Sequence, residues 1–186
     1  MNDTALILVD YLKDFTTPEG RVYYPEAEAV IDKTAELLAV ARRSGCLVVF
    51  IRHSYRKDKP DANLSSMRPC CIEGTAGDEI DPRLPIDEKK DYVLVKRRYS
   101  AFFGTDLDLV LRERGVKNLI VAGLKTNNCV NATVLDAHYR AYNTTVVADC
   151  TATNDKEAHR IYLRDMERYL CEVASLAEVK QKLGEG

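Results

Sequence analysis

Hydrophobic and polar positions follow two rhythms along this chain, and the switching between them predicts its elements. Residues 5–9 (Ala-Leu-Ile-Leu-Val) are an unbroken apolar run, the mark of a strand buried on both faces. Similar short runs recur at residues 47–51, 92–95, 119–122, 144–148 and 170–174. Between them the apolar residues return at helical spacing. Pro25, suited to a first helical turn, opens a helix predicted over residues 25–44, with Ala29, Ile31, Leu37, Leu38 and Ala41 on its core face and Gly45 past its end. Thr105 is a candidate cap for a helix running to Arg114 and stopping at Gly115. After the 119–122 run, Thr126, Asn127 and Asn128 offer capping side chains to a helix whose apolar face is Val130, Val134, Ala137 and Ala141. Helices predicted over residues 156–168 and 175–183 complete the series. Strands that alternate with helices in this way predict an α/β fold of three layers, a six-stranded parallel sheet with helices on both faces.

One segment breaks the alternation. Residues 54–88 are polar and punctuated by prolines and glycines, and a connection this long inside a compact domain usually folds over a site. It contains a turn cluster, Pro69-Cys70-Cys71-Ile72-Glu73-Gly74-Thr75-Ala76-Gly77.

The bulk properties narrow the field. A chain of 186 residues is most simply a single domain spanning 1–186, and one that size buries roughly 70% of its unfolded surface. A net charge of −2 with interspersed signs argues against nucleic acid or an anionic membrane as partner, and the basic clusters at 89–90 and 96–98 are too short to track a phosphate backbone. The first residues lack a basic leader pattern and the 5–9 run is too short for a membrane span, so a cytoplasmic location is expected. The six cysteines show neither C-x-x-C nor zinc-like spacing, and all are expected as thiols. No glycine-rich phosphate loop follows the first strand, so no nucleotide cofactor is expected.

Chemistry gathers at the strand ends. The first, third and fourth strands are followed by Asp10, Lys96 and, after a glycine turn, Cys129. Every strand of a parallel sheet points the same way, so all three reach one edge. Taken alone, Asp10 is as readily a turn cap as a catalytic group, and Cys129 more readily a small buried hydrophobe than a nucleophile. Together, a carboxylate, an ammonium and a thiol near a helix N-terminus supply the base, the fixed charge and the nucleophile of covalent hydrolysis, with backbone N–H groups to hold an anion.

These residues stand in segments that resemble the isochorismatase-like cysteine hydrolases, which include nicotinamidases and N-carbamoylsarcosine, ureidoacrylate and biuret amidohydrolases. The similarity runs through residues 5–10 with Asp14-Phe15, Glu73-Gly74-Thr75 with Gly77, Lys96 with residues 99–107, and Gly123-x-x-Thr126-x-x-Cys129-Val130. It implies strand order 3-2-1-4-5-6 and a catalytic triad of Asp10, Lys96 and Cys129. It also implies a cis peptide between Leu124 and Lys125, with the N–H groups of Lys125 and Cys129 forming an oxyanion hole. Phe15, Tyr99, Phe102 and Asn128 are candidate pocket residues.

The substrate class expected is a small amide or N-carbamoyl compound of the N-carbamoylsarcosine type, with a dimer or tetramer as the assembly. Nicotinamidases of this family carry an Asp-x-His metal site after the second strand and a further histidine. Here the segment reads Arg52-His53-Ser54-Tyr55, so a metal-independent enzyme is expected and His53 reads as a loop or wall residue rather than a ligand. Lys125 stands where relatives carry a small residue, and its side chain either enters the site or reaches solvent. Arg52 and Arg98 are further candidate partners for a substrate carboxylate, although solvated surface charge is the simpler account of each. His138 and His159, on helical segments, read as structural. The alternatives are another small-amide hydrolase, nicotinamidase included, and a thiol redox sensor using Cys129 or the Cys70-Cys71 pair.

Overall fold

A computed structural model describes residues 3–65 and 67–184, leaving Met1 and Asn2, the start of the segment read for a leader pattern, outside the described residues. Six parallel strands form one sheet: β1 (Thr4–Val9), β2 (Leu47–His53), β3 (Tyr92–Lys96), β4 (Asn118–Leu124), β5 (Asn143–Ala152) and β6 (Glu172–Ala174). Their order across the sheet is β3-β2-β1-β4-β5-β6, the order expected, so β1 and β4 lie side by side at the point where the winding reverses. Register places Val9 beside Ile51 of β2 and Gly123 of β4.

The helices are α1 (Lys13–Thr16), α2 (Pro25–Ala29), α3 (Ile31–Arg43), α4 (Leu107–Glu113), α5 (Asn131–Tyr139), α6 (Lys156–Tyr169) and α7 (Leu176–Lys182). Alternate residues of β1 feed opposite faces, as the two-residue period requires. Leu6 and Leu8 join Ala27, Ile31, Leu37, Leu38, Leu176 and Val179 in one core, under α2, α3 and α7. Ala5, Ile7 and Val9 join Leu107, Leu111, Val134, Ala137 and Met166 in the other, under α4, α5 and α6.

Three expectations about helices are corrected. The helix read over 25–44 is two, because the chain departs from helical geometry at Val30 (φ −93°, ψ −6°). The helix after Cys129 ends at Tyr139, and Ala141 lies beyond it, exposed and in the left-handed region (φ +60°), so it contributes nothing to the core face. Thr126, Asn127 and Asn128 do not cap that helix. They form a turn of π-helix (Thr126–Val130) that leads into α5, and Lys125 at its start makes no side-chain cap. Thr105 does act near its expected place, its hydroxyl accepting from the Leu107 N–H at 3.2 Å. All six cysteines are free thiols.

The long 54–88 segment is pinned rather than loose. One isolated bridge, Tyr55 to Ile72, closes the segment on itself, and another, Leu12 to Ile80, ties it to the loop after β1. The buried Asp14 carboxylate accepts the Cys71 N–H at 2.6 Å and the Arg21 N–H at 3.0 Å, tying the turn cluster to the loop after β1. No helix among the described residues is long and apolar enough to cross a membrane.

Candidate active site

Asp10 is the first residue beyond β1 and adopts φ +57°, a left-handed conformation uncommon for a side chain larger than glycine and often met at functional sites. The reversal is fixed by hydrogen bonds: its N–H donates to the Ile51 carbonyl at 3.0 Å, and its Oδ1 accepts the His53 N–H at 2.9 Å. β4 approaches closely at the residue before Asp10. A Cβ at Gly123 would stand 2.4 Å from the Val9 carbonyl oxygen, so only glycine lets the two strands meet there.

Lys96, the last residue of β3, is in register with His53, the last of β2, so both side chains leave the sheet on the same side. Its Nζ lies 2.7 Å from Asp10 Oδ2, 2.9 Å from His53 Nδ1, 3.1 Å from the Arg98 carbonyl oxygen and 3.4 Å from Cys129 Sγ. Neither side chain of the Asp10–Lys96 pair is exposed at all. Cys129 sits in the π-turn after β4, and the Lys125 carbonyl accepts from the N–H groups on either side of it, Asn128 at 3.0 Å and Val130 at 3.2 Å. His159, from α6, shares a hydrogen bond with Thr126 at 2.8 Å and so braces the same turn. The peptide between Leu124 and Lys125 is cis.

Burial dominates the electrostatics. It raises the Asp10 carboxyl above the usual carboxylate range, although Lys96, the Cys129 thiol and the His53 N–H all pull the other way. Burial also disfavours the Lys96 ammonium, but Asp10 and Cys129 outweigh it and raise that group. The Cys129 thiol is pushed up to about 12 by burial, against the pull of Lys96. The helix N-terminus alone would favour a thiolate, so desolvation is the larger effect here and the resting sulfur keeps its proton. The arrangement is a protonated thiol facing a carboxylate of raised basicity, with a fixed ammonium touching both.

A small cavity of about 90 Å³ opens onto Cys129. Phe15, Tyr99 and Asn128, three of the four candidate pocket residues, line it. Phe102 does not: it is 5% exposed, stacks on Tyr142 at 5.9 Å between ring centroids and belongs to the core beneath α4 and α5. His53, the last residue of β2 rather than a loop residue, also lines the cavity. Val22, Tyr55, Met67, Cys70 and Cys71 line it as well, none of them placed there from the sequence, which offered Cys70 and Cys71 only as a candidate redox pair. Most come from the 54–88 excursion, whose length was the only available signal. Lys125 reaches the cavity, but its Nζ is held by Asn154 Oδ1 at 2.9 Å and lies 5.1 Å from the Tyr24 ring centroid. Arg98 is turned away and paired with Asp61 at 3.1 Å, and Arg52 does not line the cavity.

Among the described residues, Asp10, His53 and Cys129 could be considered as metal ligands, since one donor atom from each lies within 4.8 Å of the others. The Lys96 ammonium already contacts all three. A divalent ion placed there would face a buried positive charge at close range, so this donor set does not fit a metal.

The comparisons agree with the geometry. The model of the isochorismatase domain matches residues 4–178. An Arabidopsis thaliana protein described as a "Probable inactive nicotinamidase" is 32% identical over 189 residues, covering 97% of this chain and 96% of that one. The crystal structure of a cysteine hydrolase from Pseudomonas syringae pv. phaseolicola superposes with a TM-score of 0.91 at 29% identity, covering 99% of this chain and 94% of that one. That of N-carbamoylsarcosine amidase from Thermoplasma acidophilum gives 0.81 at 31% identity, covering 93% and 96%. With the sheet order, the buried strand-end cluster and a match over nearly its whole length in agreement, this chain belongs to the isochorismatase family of hydrolases.

Proposed function

We propose that this protein is a cysteine-dependent amidohydrolase that cleaves a small amide or N-carbamoyl compound, of the N-carbamoylsarcosine type, and releases ammonia. The observation that carries the reading is Lys96 Nζ standing 2.7 Å from Asp10 and 3.4 Å from Cys129, the member of the three that lines the cavity. The likeness to N-carbamoylsarcosine amidase supports the carbamoyl class.

In this mechanism Asp10 takes the proton of Cys129 as the sulfur attacks the amide carbon. Lys96 holds the carboxylate in place and offsets the charge that develops on sulfur. The N–H groups of Lys125 and Cys129 receive the tetrahedral oxyanion. Asp10 returns the proton to the departing nitrogen, the C–N bond breaks, and ammonia leaves. The acyl group remains on sulfur, as a thioester from an amide or a thiocarbamate from a ureido compound. Water then loses a proton to Asp10 and adds to the acyl carbon. Collapse breaks the C–S bond, and Asp10 hands the proton back to sulfur. Because the Lys96 ammonium fills the place a metal would need, the chemistry runs without one in this proposal.

The test is ammonia release from N-carbamoylsarcosine, ureidoacrylate, biuret, nicotinamide and pyrazinamide, with intact-mass detection of the acylated enzyme. Turnover of a carbamoyl compound that disappears in Cys129→Ala is expected. Full turnover by Cys129→Ala would refute the mechanism, and turnover of nicotinamide alone would move the protein to the neighbouring class of aromatic amide hydrolases. Assembly as a dimer or tetramer is part of the proposal, and light scattering in solution tests it.

A further inference from the structure

His53 is 4% exposed and rests against Tyr55, with ring centroids 4.3 Å apart. Its Nδ1 lies 2.9 Å from Lys96 Nζ. An ammonium has only donors, so Nδ1 must accept there, and the neutral ring carries its proton on Nε2. Burial, then the charges of Lys96, Arg98 and Arg97, keep the ring neutral. Nε2 is therefore an N–H donor, and it is buried with no partner among the described residues. Buried donors are rarely left unpaired, and each exception calls for a reason.

The position supplies one. His53 lines the cavity, and one of its ring nitrogens is within 4.8 Å of Cys129 Sγ. Two other polar groups on that wall are already engaged, Lys125 with Asn154 and the Tyr55 hydroxyl with Asn63 and Met67. We infer that His53 Nε2–H is a substrate-recognition donor, which selects compounds bearing a hydrogen-bond acceptor, a carboxylate or carbonyl oxygen, on the acyl side of the bond brought to Cys129. The inference rests on the proposed function only in taking this cavity as the substrate site. A compound with a methyl group at that point leaves the donor unpaired, and about a tenfold to hundredfold loss of affinity follows.

Two variants separate this role from simple support of Lys96. In His53→Asn, the amide oxygen replaces Nδ1 as acceptor for Lys96, but nothing reaches the Nε2 position. His53→Gln places an amide N–H near the Nε2 position and gives up the contact with Lys96. The probes are N-carbamoylglycine and its neutral counterpart N-propylurea, with binding measured calorimetrically in a Cys129→Ala background so that no turnover is needed. The expected result is about tenfold or more preference for N-carbamoylglycine, lost in His53→Asn and kept in His53→Gln. Equal binding of the two probes, binding of neither, or a preference that survives His53→Asn overturns the inference.

Should the variants fold poorly, nitrogen NMR of the three histidines in the protein bearing only Cys129→Ala reads the tautomer directly. A His53 proton on Nδ1, or an Nε2 signal unmoved by N-carbamoylglycine, also overturns it. Donor-dependent binding without ammonia release from the protein with Cys129 intact would instead refute the hydrolase reading and leave the recognition site standing.

Discussion

Replacing Lys96 by methionine keeps most of the side-chain stem and removes the ammonium, its charge together with its contacts to His53, the Arg98 carbonyl and Cys129. Asp10 would then be a carboxylate with no exposed surface and, of the contacts described, the His53 N–H at 2.9 Å and the thiol of Cys129 for support. Breaking a buried ion pair from one side typically costs about 3–5 kcal/mol, because the remaining charge is stranded. The cost should depend on pH, with a definite sign. Burial already raises Asp10, and Lys96 is the largest influence opposing it. Without Lys96 the folded-state value rises further. A group raised in the folded state gives its full contribution below its unfolded value and loses it as pH climbs through its folded value. Lys96→Met should therefore be least damaging in acidic buffer and lose stability toward alkaline buffer, by up to about 1.4 kcal/mol per pH unit. Adding Asp10→Asn removes the stranded charge and should restore a substantial part of the loss, with no return of activity. Urea unfolding of both variants and the parent, analysed by linear extrapolation across pH, measures this. A loss below about 1 kcal/mol with no pH dependence, or a double variant no more stable than Lys96→Met, would show that Lys96 does not balance a buried Asp10 charge.

Other expectations follow from the same contacts. Catalysis should rise with pH as Asp10 ionises, with the acid limb of kcat/KM above the ordinary carboxylate range because burial raises that group; a limb at or below that range refutes its role as base. Phe102→Ala should cost about 3–5 kcal/mol of stability with KM little changed, since the ring is core. Tyr99→Ala should do the reverse, raising KM with little effect on stability, because Tyr99 is partly exposed on the cavity wall; steady-state kinetics with thermal melts distinguishes the two. Gly123→Ala forces a Cβ against the Val9 carbonyl and should cost about 1–3 kcal/mol while displacing Asp10, so a variant with parental activity and melting temperature would contradict the packing described. Exhaustive chelation should leave ammonia release intact, and loss of activity restored by zinc would reverse the metal-independent reading.

What the sequence determined by itself was the layered fold and the edge on which chemistry gathers. Continuous apolar runs alternating with helical periods admit few arrangements, and parallel strands must deliver the residues at their ends to one side. That is why Asp10, Lys96 and Cys129 were legible as a group. The pattern missed what changes no period. The break at Val30 leaves Ala29 and Ile31 on acceptable helical positions, and Ala141 keeps the spacing of an inward residue although the chain has already turned out. Strand ends were read short because the hydrogen-bond ladder continues into polar residues, through His53 in β2 and through Ala152 in β5.

Only the tertiary structure decided the substrate side. Phe102 and Tyr99 are near neighbours in sequence, and which of them faced the cavity depended on how the 96–107 loop met Tyr142. Cys71 entered the wall through a hydrogen bond to Asp14, 57 residues away. The protonation pattern was decided there as well: the helix terminus favours a thiolate at Cys129, but full burial overrides it. Local spacing fixes which groups leave the sheet together, whereas long-range contacts and desolvation fix what each one faces and which proton it holds.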